Sequence, residues 1–180
     1  MHWKASRLFN GVILAEKVRT RIDKLVYGGD GIGRLPDGRA VFVPFTLPGE
    51  VVELQIVQEG KKFARGRLIN LLEASPERIQ PRCKHFGTCG GCHYQHIPYD
   101  AQLQAKLAIL QDQMDRLGGF SALPSGGITS SPSPWNYRNQ VQFHPAPEGG
   151  LGFMDIDGKS VVPIQECHLP TEGINALWPQ

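Results

Sequence analysis

The sequence predicts a mainly β chain with one long helix: a small OB-like β-barrel, then a cysteine-rich loop, a helix and a partial antiparallel β domain. Three observations lead there. Residues 17–75 break into short apolar-polar alternating runs parted by glycine turns, three of the four cysteines fall inside CKHFGTCGGC at 83–92, and residues 98–119 carry apolar side chains at helical spacing.

In the first region Val18, Thr20 and Ile22 alternate with Arg19, Arg21 and Asp23, the period-two pattern of a half-buried strand. The glycine run GGDGIG at 28–33 then interrupts it. A dinucleotide loop would need a third glycine and a following helix, but Pro36 and another strand come next, so these glycines read as barrel bends or places of close backbone approach. Strands follow at 39–45, 51–57 and 63–72, with turns at Pro36-Asp37-Gly38, Pro48-Gly49 and Glu59-Gly60-Lys61. Four or five short strands of this kind predict a small barrel, and the OB-like form commonly binds oligonucleotides.

The helix is expected to open at Pro98-Tyr99-Asp100 and to close at Gly118-Gly119. Leu103, Leu107, Leu110, Met114 and Leu117 recur at four and three residues, a stripe that predicts a packed core helix rather than a coiled coil. The composition of 121–134 is that of a linker, and strands at 140–144, 151–155 and 159–163 join in a meander through turns at Glu148-Gly149-Gly150 and Asp157-Gly158. A last helix begins near 171, and the β domain of 135–180 reads as incomplete. Residues 1–16 form an extension with no readable motif.

Charge and apolar runs bound the setting. Residues 1–80 hold 13 Lys and Arg against 9 Asp and Glu, whereas the rest holds 6 against 8. The basic surplus on the barrel suits a polyanion, although a solvated basic face would look the same. No apolar run approaches the roughly 18 residues of a membrane helix, and no cleavage site follows the N-terminal apolar patch. A cytoplasmic chain without a membrane partner is expected, and in a reducing cytosol clustered cysteines hold a metal or do redox chemistry more often than they form disulfides.

Thiolates are soft ligands suited to zinc, copper(I) and iron-sulfur clusters, and a C-x5-C-x2-C loop directs three of them at one centre. Cys83, Cys89 and Cys92 then need a fourth partner, and Cys167 is the only other cysteine. Structural zinc would take all four cysteines, or three with His85, His93 or His96. Zinc sites usually come as two short-spaced pairs, so the three-plus-one arrangement favours a cluster while leaving zinc open. The nearby histidines read as packing or surface residues.

The order of IDKL at 22–25, GGDGIGR, VFVPFTLPGE at 41–50, SPER at 75–78 and C-x5-CGGC-x2-QH resembles the RNA 5-methyluridine methyltransferases that carry a TRAM domain, 23S rRNA (uracil-C5)-methyltransferase type. YRNQVQFH at 137–144 and ECHLP at 166–170 extend the resemblance. It implies a TRAM RNA-binding barrel at 17–75, an iron-sulfur loop and helix at 76–120 and the start of a central β domain at 135–180. It also implies that Cys83, Cys89, Cys92 and Cys167 hold a 4Fe–4S cluster. In that family a further domain binds S-adenosylmethionine and supplies a cysteine that attacks uracil C6, on a base taken out of its stack. This sequence reaches Gln180 without a methyl-donor motif, and its four cysteines are all assigned, so no catalytic residue and no activity are expected of these residues alone.

Two functions therefore compete: part of an RNA uridine C5-methyltransferase, or a stand-alone RNA-binding iron-sulfur or zinc module without enzyme activity. The chain is expected to be a monomer that meets RNA, with ribosomal RNA preferred over transfer RNA on the CGGC spacing. Arg34, Arg39, Lys61, Lys62, Arg65 and Arg67 sit in turns or on strand faces that phosphate can reach, and Arg138 is the candidate in the central domain. Phe63, interleaved with the basic residues, reads first as a barrel core position and second as a base-stacking platform.

Overall fold

The structure, a computed structural model, describes residues 8–9, 12–13, 17–121 and 127–177. Most of the extension, the middle of the linker and residues 178–180 lie outside the described residues. The chain divides into two compact units, 1–76 and 77–180. A short antiparallel pair, β1 (Leu8–Phe9) with β2 (Val12–Ile13), precedes the first unit's barrel.

That barrel is closed by β3 (Lys17–Leu25), β4 (Gly31–Arg34), β5 (Ala40–Val43), β6 (Val51–Glu59) and β7 (Phe63–Glu73), in the order β3-β4-β5-β7-β6. All neighbours run antiparallel except β5 and β7, which pair in parallel. Five strands closed in this order form an OB-like barrel. Along β3 the alternation holds: Thr20, Ile22 and Leu25 are buried while Arg19, Arg21 and Asp23 are exposed. With Leu35, Val41, Val43, Val52, Leu54 and Ala64, Ile22 fills the interior.

GGDGIG does not merely interrupt the strands, since its second half is β4 itself. A Cβ on Gly33 would lie 2.5 Å from the Arg21 carbonyl oxygen, and one on Gly31 would lie 2.2 Å from Thr46 Oγ1. Such contacts need backbone or packed side chains to move, so glycine here permits close strand approach. Glu50 closes the end of the barrel. Its carboxylate is fully buried and accepts the Leu47 N–H at 2.8 Å and the Ser75 N–H at 3.2 Å. Glu50→Leu removes both acceptors and is expected to lower stability by about 2–4 kcal/mol, the cost of leaving buried donors unpaired. Urea unfolding of the two proteins measures it, and equal midpoints would show that water replaces the carboxylate.

In the second unit, α1 (Tyr99–Gln113) continues as a π-helical turn (Met114–Gly118) and ends at left-handed Gly119. Both ends fall where the sequence puts them, but the buried face differs from the expected stripe. Ile109 is the buried residue, whereas Leu110 and Leu117 are exposed. Leu103, Leu107 and Met114 of the stripe are half-buried, as are Gln102 and Ala105, and the Gln102 side chain donates to the Ile97 carbonyl at 2.9 Å.

A three-stranded meander follows: β8 (His144–Pro145), β9 (Leu151–Met154) and β10 (Val161–Pro163), in the order β10-β9-β8. The strand expected over 140–144 shrinks to its end, since residues 140–143 have no ladder partner and Phe143 is held by its ring, stacked 5.1 Å from Phe153. The Asp155 carboxylate gathers the turn between β9 and β10 by accepting the N–H groups of Asp157, Lys159 and Ser160. These bonds hold its pKa below the ordinary carboxylate value, the Ser160 hydroxyl contributing most. A five-residue helix, α2 (Glu172–Ala176), ends the described chain.

Candidate functional site

Cys83, Cys89, Cys92 and Cys167 line one cavity in the second unit, together with Gln95, Phe153, Ile164 and Leu169. All four carry free thiols. The loop that brings them together is built from tight turns: Phe86 N–H donates to the Cys83 carbonyl at 3.2 Å and Cys89 N–H to that of His85 at 2.9 Å. Longer-range bonds then fix it. Lys84 N–H donates to Glu166 Oε1 at 3.0 Å, and Gln165 N–H donates to His85 Nε2 at 3.1 Å, which places Cys167 beside a segment more than 80 positions away. On the other side Gly90 N–H donates to the Met154 carbonyl at 2.9 Å, and a Cβ on Gly90 would stand 2.6 Å from the Asp155 carbonyl oxygen. The first glycine of CGGC is thus the place where the loop meets β9.

The sulfurs have hydrogen-bond donors of their own. Gly91 N–H reaches Cys89 Sγ at 3.4 Å, and Gln95 Nε2 donates to Cys92 Sγ at 3.1 Å while its Oε1 accepts the Cys83 N–H at 3.0 Å. Gln95, the glutamine of CGGC-x2-QH, therefore links two of the cysteines through one amide. Burial pushes the Cys83, Cys92 and Cys167 thiols up from their ordinary value, and the neighbouring cysteines add to it. Thiols raised in this way would have to give up protons to bind a metal.

His96 is fully buried against the Phe86 ring at 5.5 Å, His93 is exposed, and His168 packs edge-on to Trp135 at 6.1 Å. Among the described residues no group of three or more His, Cys, Asp or Glu side chains is placed to hold a metal ion as the structure stands.

The basic candidates divide between the two units. On the barrel, Ala40 pairs with Phe63 and Phe42 with Arg65 across the parallel β5–β7 ladder. Phe63 is 42% exposed, which corrects its expected core placement: Ala64 and Gly66 take the inward positions of β7, leaving Phe63 and Arg65 on the outer face. Phe63 meets Phe42 edge-on at 5.7 Å, and the Arg65 guanidinium lies 5.7 Å from the Phe42 ring centre. Lys61 and Lys62 are exposed in the adjoining turn, and Arg34 is exposed at the end of β4. Arg39 is already engaged, with Asp37 at 2.7 Å and Glu59 at 2.8 Å. Arg65 also pairs with Asp30 at 3.1 Å, and Arg67 is exposed on β7. Arg138 lies in the second unit, where it lines the cysteine cavity.

A five-stranded barrel with this aromatic and basic face defines the first unit's class, and residues 15–69 match the TRAM domain. Over most of its length the chain is similar to proteins named RNA methyltransferases. It is 41% identical over 162 residues to an RNA methyltransferase of Aquifex aeolicus, covering 90% of this chain and 38% of that protein. It is 35% identical over 173 residues to the 23S rRNA (uracil(1939)-C(5))-methyltransferase of Shewanella halifaxensis, covering 92% of this chain and 38% of that protein. The crystal structure of Pyrococcus abyssi tRNA (uracil-54, C5)-methyltransferase with S-adenosyl-L-homocysteine matches with a TM-score of 0.55 and 26% identity, over 88% of this chain and 35% of that one. The chain thus spans less than two fifths of the length of these proteins. No helix among the described residues is long and apolar enough to cross a membrane.

Proposed function

We propose that these residues are the RNA-binding and iron-sulfur portion of an S-adenosylmethionine-dependent uridine C5-methyltransferase that acts on ribosomal RNA in the cytoplasm. The observation that carries the reading is the convergence of Cys83, Cys89, Cys92 and Cys167 on one cavity, in a chain whose relatives are named RNA methyltransferases. The cavity fits a cluster. Its ligands are four thiols, its lining is otherwise largely apolar, and N–H donors already point at two of the sulfurs. Cys83, Cys89, Cys92 and Cys167 would hold the 4Fe–4S cluster, which when bound supplies a covalent staple between the loop and the segment before α2.

With the four cysteines so used, none of the 180 residues is left to attack uracil C6, and the reading assigns no methyl transfer to this chain. The barrel supplies RNA affinity instead. Lys61, Lys62, Arg65 and Arg34 offer phosphate contacts, and exposed Phe63 offers a face on which a base can stack. Ribosomal over transfer RNA rests on the CGGC spacing and on the 23S rRNA enzyme among the relatives.

Competition binding tests the choice of RNA. A 23S rRNA fragment containing the uridine named in the Shewanella relative is expected to displace a labelled copy of itself at about one-tenth the concentration of transfer RNA, at one fixed salt concentration. Equal displacement by both would reduce the interaction to non-specific phosphate binding and remove the ribosomal assignment.

A further inference from the structure

A second cleft, of about 550 Å³, opens in the second unit beside the thiol cavity and shares Gly91, Cys92, Gln95, Arg138 and Leu169 with it. Four aromatic side chains line it: Tyr94, Tyr99, Trp135 and Tyr137. Lys106 and Arg138 add positive charge, and no Asp or Glu is among the lining residues. Cations already attend these rings, with Lys106 Nζ 5.7 Å from the Tyr94 ring centre and the Arg82 guanidinium 5.3 Å from that of Trp135. The far wall is also fixed, because Ser131 N–H donates to the Tyr99 hydroxyl at 2.8 Å.

Aromatic faces, positive charge and no carboxylate together select a ligand that is flat, aromatic and anionic. The volume falls within the roughly 300–1,000 Å³ of ligand clefts. We infer that this cleft receives one unpaired nucleotide of a single-stranded RNA segment, its base against the aromatic side chains and its phosphate at Lys106 and Arg138; the inference rests on the reading that the chain binds RNA. Tyr137, 52% exposed, is the ring most open to a ligand. Because Gly91 and Cys92 belong to the wall, the order of the cysteine loop shapes the cleft.

Fluorescence anisotropy with the full chain, purified anaerobically, tests this with two 5′-labelled probes: octauridylate and an abasic ribose-phosphate strand of the same length. Tyr137→Ala is expected to weaken octauridylate binding about tenfold, to leave the abasic strand unaffected, and to leave the salt slope unchanged, since stacking releases no counterions. Tyr137→Phe is expected to bind as the unsubstituted chain does, which separates the ring's contribution from a folding defect. If Tyr137→Ala and Tyr94→Ala both bind octauridylate normally while substitutions at Lys61, Lys62 and Arg65 flatten its salt slope, the cleft is excluded and RNA binding by the barrel stands. Equal loss for both probes in Tyr137→Ala would also overturn the base-stacking role. Absence of salt-dependent binding to either probe would overturn the RNA reading itself.

Discussion

Cys89→Ser is expected to purify without visible colour and to melt roughly 10–20 °C below the unsubstituted chain. The size follows from linkage: a group bound only by the folded state stabilises it by about 4 kcal/mol when present at a thousand times its dissociation constant, and about 1 kcal/mol moves the midpoint of a domain of this size by several degrees. Cys89 is well placed for the test because its backbone anchors do not involve the sulfur. Its N–H bonds to the His85 carbonyl, its neighbour Gly90 bonds to Met154, and residue 89 bridges Asp155. Serine keeps those bonds and changes one atom, so the loss belongs to the ligand. Unchanged colour and melting temperature would remove Cys89 from the ligand set.

The second large effect concerns the barrel. Replacing Lys61, Lys62 and Arg65 together by alanine is expected to reduce the slope of log affinity against log salt by about 2–3, at roughly 0.7–0.9 per lost phosphate contact. Arg65 is already shared with Asp30, so its contribution falls at the lower end, whereas the two lysines in the turn are exposed. The side chains of all three point away from the buried core, and the melting temperature should not move. Titration of a labelled single-stranded RNA at four salt concentrations gives the slope; an identical slope in both proteins would take this turn out of the interface.

The barrel was legible because its code is local. Alternation in β3, paired glycines in β4 and turn residues between strands each act over a few positions, and the Cβ contacts at Gly31 and Gly33 are the close approaches that the sequence suggested. Phe63 was misplaced because the strand's phase is set by Ala64 and Gly66, small residues that carry little apolar signal but take the inward sites. The helix stripe held only in part: Leu103, Leu107 and Met114 are half-buried, but Leu110 and Leu117 are exposed and Ile109, outside the leucine spacing, is the buried residue. The cysteine triplet was legible as a focus of the second unit, and Cys167 lines the same cavity as the triplet. Neither could reveal which atoms Gln95 uses to bridge Cys83 and Cys92, Glu166 holding Lys84, or the meeting of Tyr94 and Tyr99 with Trp135 and Tyr137 in the adjoining cleft, contacts that exist only in three dimensions.

The central claim is that Cys83, Cys89, Cys92 and Cys167 hold an iron-sulfur cluster within an RNA-binding chain. Anaerobic purification followed by an absorption spectrum, with iron, sulfide and zinc analysis on the same sample, tests it most directly. The account predicts a broad band in the blue region and iron and acid-labile sulfide in equal amounts. A colourless protein with one zinc ion per chain would contradict it.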